Sequence, residues 1–400
     1  AWASTTRTLA QILPAEPGLF DLVILDEASQ CDLATAAAAL LRGKRAVIVG
    51  DPRQLRHITF LSKAREQAAF AERGLDERTQ TRLGFRRSLF DVAADAVPRD
   101  CFFLLDQHFR SDPRIIEFSN KRFYSDSLRI MTERPRRGTR TAVRAVHVDG
   151  RRNANDSVNP DEVEAVMGEI GALVEQPAPD SEAPLSIGIV SPFRDHVDAV
   201  RDALLRRFPD AVDRHRMVVG TAHSLQGDEK DVVILTTSID RASHSGSLRF
   251  LQNPNLFNVA ITRARRMMIV VSSVKADELP PGLLQSYLRH AEETPRPGER
   301  GKQTGRELVD GLARMIRGDD VEIQLSFRSA GLTIDMAVAD DRNFAAVLCG
   351  PEQQELEDQP DALTRRRILA RAGWKIKRVF ARAWREDPHA CLEHVRQALQ

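Results

Sequence analysis

The stretch FDLVILDEASQ, residues 20–30, decides which fold the chain can adopt. Four apolar residues, Leu22 to Leu25, are followed directly by Asp26 and Glu27. A short apolar run that ends in polar residues is typical of a buried strand, and parallel sheets bind their ligands at the carboxyl ends of the strands. The stretch therefore predicts a parallel sheet with two adjacent carboxylates at its ligand-binding edge.

Similar apolar runs recur along the chain and predict further strands. They lie at residues 46–49, 102–105, 143–148, 186–190, 217–219, 232–235 and 267–271. Longer helix-prone segments separate most of them, such as 161–175 and 195–207. Buried strands that alternate with helices form parallel sheets covered on both faces, so we predict an α/β fold.

Composition limits the class of protein. The chain has 400 residues, of which 42% are hydrophobic, so it can bury sizeable cores and should form two or three domains. No segment approaches the roughly 18 consecutive apolar residues of a membrane span, so we predict no membrane partner.

The cysteines lack paired CxxC spacing, which disfavours a zinc site and a disulfide framework and favours reduced thiols in the cytoplasm. They are Cys31, Cys101, Cys349 and Cys391.

The net charge is only +1, but the basic residues are clustered. Eight basic residues and no acidic one lie between Arg365 and Arg382, and seven lie between Arg134 and Arg152 beside one Asp. Such clusters can bind phosphates by displacing counterions. Either cluster alone fits a solvated helix face equally well.

The loop after the second strand, GDPRQL at residues 50–55, is the second candidate site. Gly50 permits a tight turn, and the Gln54 amide could sense a terminal phosphate and its attacking water. On the first loop, Asp26 could hold a nucleotide-bound Mg²⁺ while Glu27 deprotonates that water. Taken separately, each pattern also fits an ordinary strand end or a Gly-Asp-Pro turn.

The order DEASQ and then GDPRQL resembles motifs II and III of superfamily 1 helicases, most of all the 5′-to-3′ branch that includes the nonsense-mediated-decay and immunoglobulin-switch-region helicases. LLDQHFRSDPRIIEFSNKRFY, residues 104–124, resembles motif IV and implies that Arg110 is an arginine finger. NPNLFNVAITRARRMMIVV, residues 253–271, resembles motif VI and implies that Arg263 is a second finger on the γ-phosphate. A guanidinium supplied from another lobe would stabilise the charge of the transferring phosphoryl group. Alone, Arg263 could be a helix-surface charge and Arg110 could form a surface salt bridge.

Two further stretches match the family between these motifs. SIGIVSPFRDH, residues 186–196, implies that Ser191, Pro192 and Phe193 lie near the nucleic-acid groove. VVGTAHSLQGDEKDVVIL, residues 218–235, resembles motif V. The resemblance implies that Gln226, Gly227 and Glu229 approach the nucleotide, Glu229 by accepting a ribose hydroxyl. Thr221, His223 and Ser224 could contact a nucleic-acid backbone or cap a helix.

The chain departs from the family because it contains no G-x-x-x-x-G-K-[ST] loop. The pairs Gly43-Lys44 and Gly301-Lys302 lack the upstream Gly and the following Ser or Thr. Without that loop, no backbone cradle holds the β and γ phosphates. We therefore expect the chain to be the C-terminal portion of a helicase whose first lobe begins upstream, and to have little ATPase activity by itself.

The last hundred residues resemble the nuclease-like domain of very short patch repair endonucleases. The matching pieces include Glu307, LTIDMAV around Asp335, FAAVLCG, and the basic stretch from 363 to 380. Leu348 and Gly350 stand where the family has acidic metal ligands. We therefore expect a degenerate nuclease site with Glu307 and Asp335, in a domain that holds DNA, unless Glu352 or Glu355 substitutes. Arg365, Arg366 and Arg367 would contact DNA, and Trp374 and Trp384 would be core residues.

The resemblance implies RecA-like P-loop NTPase lobes with parallel sheets, the first partial and the second complete, plus a small α/β restriction-endonuclease-like domain. The predicted limits are residues 1–97 for lobe 1, 98–278 for lobe 2, 279–304 for a linker and 305–400 for the last domain. The implied function is an ATP-dependent, Mg²⁺-requiring helicase or translocase that acts on single-stranded or forked DNA, with RNA still possible. The alternatives are a catalytically silent nucleic-acid-binding module and an active Mg²⁺-dependent endonuclease.

Overall fold

The computed structural model describes residues 2–135, 141–175, 183–225, 227–243, 251–293, 307–316, 321–340, 343–350 and 362–399. It divides into two compact units. Unit 1 comprises Ala1–Leu105 and Arg249–Ala260, and unit 2 comprises Asp106–Leu248 and Ile261–Gln400. The domain limits at residues 97, 278 and 304 stay predictions, because both the predicted second lobe and the C-terminal domain fall largely in unit 2. No helix in the described ranges is long and apolar enough to cross a membrane.

Unit 1 is built around a short parallel sheet. Its first segment contains α1 (Thr6–Ile12), β1 (Val23–Leu25), α2 (Leu33–Leu41), β2 (Ala46–Ile48), α3 (Lys63–Glu72), α4 (Glu77–Leu83) and α5 (Leu89–Ala96). β1 and β2 pair in parallel. Leu25 packs with Ala36 and Leu89 on one face of the sheet, whereas Ile24 is 63% exposed and Val47 is 44% exposed. In the described part of unit 1, the sheet is thus covered on one face only.

The first part of unit 2 contains a five-stranded parallel sheet. The elements along this part of the chain are β3 (Gln107–His108), α6 (Pro113–Phe123), β4 (Arg129–Ile130), β5 (Val143–His147), α7 (Pro160–Glu175), β6 (Ile187–Val190), α8 (Arg194–Arg207), α9 (Pro209–Arg214), β7 (Val218–Gly220), β8 (Lys230–Thr236), α10 (Pro254–Ile261, of which residues 254–260 belong to unit 1), β9 (Ala264–Ser272) and α11 (Leu283–Glu292). The strand order is β5-β9-β8-β6-β7, and every pair is parallel. The predicted α/β class is therefore confirmed.

Two sequence-based expectations were wrong. Residues 102–105, predicted as a strand, form none, and their side chains are between 50% and 84% exposed. An apolar run becomes a strand only beside another strand that pairs with its backbone groups, and no described residues do so here. Residues 283–292 fall in the predicted linker but form α11, where Leu284, Tyr287 and Leu288 are buried. Their helical spacing was hidden by the Pro- and Gly-rich residues around them.

The C-terminal region of unit 2 forms a small α/β domain with two cores. It contains α12 (Glu307–Ile316), β10 (Glu322–Ser329), β11 (Leu332–Ala339), β12 (Phe344–Gly350), α13 (Ala362–Arg371), β13 (Lys375–Phe380), α14 (Ala381–Glu386) and α15 (Pro388–Arg396). The sheet order is β10-β11-β12-β13, antiparallel except for the last pair. Trp374 is buried in one core, and Trp384 packs against the other, where a Cβ on Gly311 would lie 2.5 Å from its ring.

A segment of the first part of unit 2 completes one of these cores. We call residues 129–134 the strap. Met131 of the strap is 1% exposed and packs with residues such as Leu369 and Trp374. The Ala330 N–H donates to Ile130 O at 3.2 Å and to a Glu133 carboxylate oxygen at 3.0 Å. The C-terminal domain is thus packed against the strap by both apolar and polar contacts.

Burial raises the pKa of Glu133 to about 7, although the Ala330 N–H and the charges of Arg328 and Arg134 oppose the shift. A carboxyl whose pKa is higher in the folded than in the unfolded state stabilises the fold most at low pH. That contribution is fully present below the ordinary pKa of 4.5 and is lost as the pH rises through about 7.

Replacing this carboxyl with an amide should therefore change the pH dependence of stability. We expect Glu133→Gln to be more stable than the parent at pH 8 by roughly 1–3 kcal/mol, because the amide removes a charge that burial disfavours. At pH 4 the difference should vanish. Urea unfolding followed by tryptophan fluorescence at both pH values measures it, with the exposed Glu164→Gln as the control. Equal stability of parent and Glu133→Gln at pH 8 would contradict the raised pKa.

Candidate functional site

In unit 1, parallel pairing brings the two candidate loops to one edge of the sheet. Just beyond the paired strands, the Ala28 N–H donates to Val49 O at 2.9 Å. Asp26 and Glu27 occupy the turn that leads to Ala28, and both side chains are exposed. The Asp26 carboxylate accepts the Glu27 N–H at 2.8 Å, and Glu27 has a φ of +51°. A left-handed backbone is unusual for Glu, so the turn holds Glu27 in an uncommon backbone conformation.

Hydrogen bonds orient the polar side chains of both loops. The Gln30 amide donates to the Glu27 carboxylate at 3.0 Å, and the Gln54 amide donates to the Asp51 carboxylate at 2.9 Å. Gly50 is needed because a Cβ there would lie 2.9 Å from the Phe90 ring. Gln30 was missed by sequence reasoning, although its spacing of three residues from Glu27 was a visible signal.

Two asparagines that the sequence analysis did not single out hold the GDPRQ loop. Residues 249–260 belong to unit 1, and the Asn255 amide donates to Pro52 O at 2.9 Å and also to Gln54 O. The Asn258 amide donates to Arg53 O at 2.9 Å. Their spacing of three residues on α10 was the signal available in the sequence. The predicted motif VI thus supplies two residues that shape the predicted motif III loop.

In unit 2, the structure joins Arg110 to Glu229. Arg110 Nε lies 2.7 Å from one Glu229 carboxylate oxygen, and Arg265 Nε lies 2.9 Å from the other. Burial raises the pKa of Glu229, but the Arg265 hydrogen bond and the charges of Arg110, Arg265 and Arg263 outweigh it and hold the pKa below its ordinary value. Arg265 was missed by sequence reasoning, although it alternates with Arg263 in TRARR. Glu229 therefore stays ionised between positive charges.

The arginines differ in exposure. Arg263 is 2% exposed, so the alternative that it is a helix-surface charge is wrong. The Arg110 side chain is 35% exposed and forms an ion pair with Glu229, as the salt-bridge alternative also expects. The Ser111 N–H donates to His108 Nε2 at 2.9 Å, and burial together with the Arg110 charge lowers the pKa of His108 to about 4. A neutral imidazole can accept that hydrogen bond, which fixes the backbone directly after Arg110.

The predicted nucleic-acid contacts lie at the carboxyl ends of β6 and β7. Pro192 and Phe193 are half-buried between β6 and α8, Ser191 is buried, and Arg152 lies over the Phe193 ring at 4.5 Å. His223 is exposed, whereas the Ser224 hydroxyl donates to Thr221 O at 2.9 Å, as a local turn would require. Gly227 is exposed with a φ of +78°. Gln226 lies outside the described residues.

A buried carboxylate at the same edge was also missed. Glu162 is buried and accepts hydrogen bonds from the Thr236 hydroxyl at 2.7 Å, the Ser238 N–H at 2.8 Å and the Ser273 N–H at 3.0 Å. These donors follow β8 and β9, so Glu162 joins the ends of two strands. Burial raises its pKa, although the same hydrogen bonds oppose the shift. Glu162 therefore stabilises the ends of the two strands and is not accessible to a bound molecule.

The basic cluster from 134 to 152 is not one surface in the structure. Arg134 packs against the C-terminal domain, where its guanidinium lies 4.4 Å from the Phe344 ring centre. Arg144 forms a two-oxygen ion pair with Glu169. Residues 136–140 lie outside the described ranges. A single phosphate-binding patch is therefore unsupported, because Arg134 and Arg144 are engaged in different places.

In the C-terminal domain, Asp335 satisfies a backbone group. Its carboxylate accepts the Cys349 N–H at 2.9 Å, just beyond the last paired residues Met336 and Val347. Leu348 is buried in the apolar core, and Glu307 is exposed at the start of α12. Among the described residues, no group of three or more His, Cys, Asp or Glu side chains could hold a metal ion. Glu352 and Glu355 lie outside those residues.

The side chains of the three predicted DNA-binding arginines do not all point in the same direction. Arg366 and Arg367 are exposed on α13, together with Arg371. The Arg365 guanidinium instead donates to Thr333 O on β11. Sequence reasoning treated the three consecutive residues as equivalent, but a helix directs successive side chains about 100° apart. Arg366 and Arg367 therefore remain the accessible pair.

Three family models match parts of the chain. An AAA domain model, AAA_11, matches residues 3–62, and a second, AAA_12, matches residues 85–275. A model described as REase_MTES_1575 matches residues 309–399.

Curated relatives match the same regions. The chain is 24% identical to an uncharacterized ATP-dependent helicase MG140 homolog of Mycoplasma pneumoniae, over 99% of this chain and 38% of the relative. It is 28% identical to helicase SEN1 of Saccharomyces cerevisiae, over 63% of this chain and 11% of the relative. The chain thus spans well under half the length of these relatives. A solved PRRSV helicase structure, 15% identical, aligns over 92% of this chain and 50% of that chain with a TM-score of only 0.31.

The family models and the helicase relatives confirm the predicted resemblance to helicases, whereas the residues assigned to each motif stay predictions. The chain is therefore similar to superfamily 1 helicases over the residues that the two AAA domain models match, and to a restriction-endonuclease-like family over residues 309–399.

Proposed function

We propose that this chain is the part of an ATP-dependent nucleic-acid helicase or translocase that activates water and stabilises the transferring phosphoryl group. The observation that carries the proposal is the exposed Asp26-Glu27 turn beside the GDPRQ loop at one edge of the sheet. Parallel α/β sheets bind nucleotides at this edge. The helicase relationship supports the same assignment.

The exposed carboxylates suit Mg²⁺ and an attacking water. Mg²⁺ commonly uses one or two carboxylates together with nucleotide phosphates and water, so Asp26 is a sufficient ligand from this loop. Bound Mg²⁺ would neutralise charge on the phosphates. Glu27, held by Gln30, would accept the proton of the attacking water. Gln54 would orient that water once its amide leaves Asp51.

The ion pair of Arg110 with Glu229 supports a role for both residues in nucleotide binding. Glu229 carries two arginine partners, so it can exchange one of them for a ribose hydroxyl without losing charge compensation. Arg110 released in that exchange would be available to a phosphate. Buried Arg263 would supply a second guanidinium, positioned by its surroundings before nucleotide arrives.

The C-terminal domain supports DNA binding more than DNA cleavage. Arg366 and Arg367 offer exposed charge, whereas Asp335 is used by a backbone N–H and Leu348 replaces an acid. We infer that the domain holds single-stranded or forked DNA while the helicase domains act on it. Plasmid nicking that requires Mg²⁺ and is lost in Asp335→Ala would instead favour an active endonuclease.

The role of Glu27 predicts a specific loss. In a full-length protein that carries a phosphate-binding loop, Glu27→Gln should lower ATP turnover by about 10²–10⁴-fold, because the amide cannot accept the proton. ATP binding, measured by fluorescence of a labelled nucleotide, should persist. The exposed Glu72→Gln on α3 is the control and should turn over normally. Undiminished turnover in Glu27→Gln would remove Glu27 as the base.

The buried arginine should act mainly in the transition state. We expect Arg263→Ala to lower kcat by roughly 10³-fold or more, with a smaller change in nucleotide affinity, as for other arginine fingers. Arg263→Lys keeps the charge but loses the planar fork, so it should recover only part of kcat. This conservative variant distinguishes the loss of the finger from a loss of the fold. The exposed Arg266→Ala is the matched control. Parental kcat in Arg263→Ala would exclude the finger.

Phosphate contacts by α13 predict a salt dependence. Replacing Arg366 and Arg367 with Ala in the full chain should reduce the slope of log affinity against log salt by up to about 1.4 on single-stranded DNA. Fluorescence anisotropy with a labelled oligonucleotide at several salt concentrations measures the slope. Arg314→Ala changes an exposed arginine of the same domain outside the basic run and should leave it unchanged. An unchanged slope in the double variant would show that α13 does not touch DNA.

A further inference from the structure

The strap contacts the chain on both sides of Arg110. β4 pairs in parallel with β3, with Arg129 opposite Gln107 and Ile130 opposite His108. The Arg129 N–H donates to Asp106 O at 2.7 Å, and the Met131 N–H donates to His108 O at 2.9 Å. After Arg110, the Thr132 hydroxyl donates to Ser111 O at 2.6 Å. The strap is therefore bonded to the residues that immediately flank this arginine.

The same strap is held from its other side by the C-terminal domain. Met131 fills the core of that domain, and the Ala330 N–H is shared between Ile130 O and the Glu133 carboxylate. Trp374 donates from its indole N–H to the Ser329 hydroxyl at 3.0 Å, which orders the residue next to Ala330. Met131 and Glu133 thus contact the C-terminal domain, whereas Thr132 between them contacts the Arg110 loop.

Arg134 is the last residue of the strap and binds the C-terminal domain. Its guanidinium donates to Met131 O at 3.0 Å and Glu133 O at 2.8 Å, and also to Ala372 O in the C-terminal domain. It lies over the Phe344 ring at 4.4 Å and 5.8 Å from the Trp374 ring centre. Carbonyls and aromatic faces are the partners that a planar guanidinium can satisfy together. Arg134 therefore ties the end of the strap to the C-terminal domain.

A second contact reaches the Arg110 loop directly. The guanidinium of Arg371, at the end of α13, lies 5.7 Å from the ring centre of Phe109, the residue before Arg110. Phe109 is itself 48% exposed. The basic helix proposed to hold DNA thus ends beside the loop that carries the candidate finger.

We propose that the C-terminal domain is a positioning element for Arg110, which it holds through Met131, Glu133 and Arg134 of the strap. The Arg110 loop has little regular structure of its own, since β3 and β4 pair over two residues each. External contacts must therefore restrict its conformations. The consequence for catalysis rests on the proposed function of Arg110, but the positioning itself does not.

Hydrogen exchange in the full chain without nucleotide tests the proposal. In Arg134→Ala, exchange at the amides of Ser111 and Met131 should accelerate about tenfold, because local opening of the strap becomes easier. Arg134→Lys retains the charge but cannot bridge three carbonyls, so it should give an intermediate acceleration. Arg144→Ala is the matched control: it removes another half-buried arginine of unit 2, one that pairs with Glu169. Arg144→Ala should leave the exchange rates of the Ser111 and Met131 amides unchanged.

The pattern of exchange separates positioning from simple packing. Faster exchange at Ala330 with unchanged exchange at Ser111 and Met131 would overturn the proposal, because the C-terminal domain would then not restrict the conformation of the Arg110 loop. Unchanged exchange everywhere in Arg134→Ala would overturn it as well. Because no nucleotide is present, either negative result would leave the proposed ATPase function of Glu27 and Arg263 untouched.

Discussion

Parallel pairing of strands is the constraint on which the candidate sites depend. When β1 lies parallel to β2, the residues after both strands must meet at the same edge, which places the Asp26-Glu27 turn beside the GDPRQ loop. The five parallel strands of unit 2 do the same for the residues after β6 and β7. An antiparallel arrangement would send alternate loops to opposite edges and separate these residues.

Charge compensation is the second organising feature. Glu229 lies between Arg110 and Arg265, and three positive charges including Arg263 keep it ionised. Because Glu229 has two arginine partners, it can exchange one of them and stay charge-compensated. This arrangement suits a site that must accept a ligand with hydroxyl and phosphate groups. Glu162 shows the contrasting case, a buried carboxylate whose hydrogen bonds are all used to join strand ends.

In the C-terminal domain, two positions of the predicted nuclease site stabilise the fold. Asp335 accepts a backbone N–H, and Leu348 belongs to a core that also receives Met131 from outside the domain. A domain whose core depends on a residue some two hundred positions earlier is not a freely tethered module. Its contacts with the strap make it a structural part of unit 2.

The sequence by itself determined the α/β class, most of the strands and the order of the motifs. Apolar runs, polar strand ends and motif spacing are properties of neighbouring residues, so FDLVILDEASQ and GDPRQL could be read directly. The same local reasoning failed at residues 102–105, which have the composition of a strand but no strand beside them.

Only the tertiary structure decided which partner each side chain has. Arg110 meets Glu229, Asn255 meets the GDPRQ loop, and Arg134 meets Phe344 across long stretches of chain. Arg365 turns inward while Arg366 and Arg367 face outward. These outcomes depend on how distant elements pack and on which direction a helix presents each residue. No local pattern of residue types carries that information, because the free energy of each contact belongs to the pair and not to either residue alone.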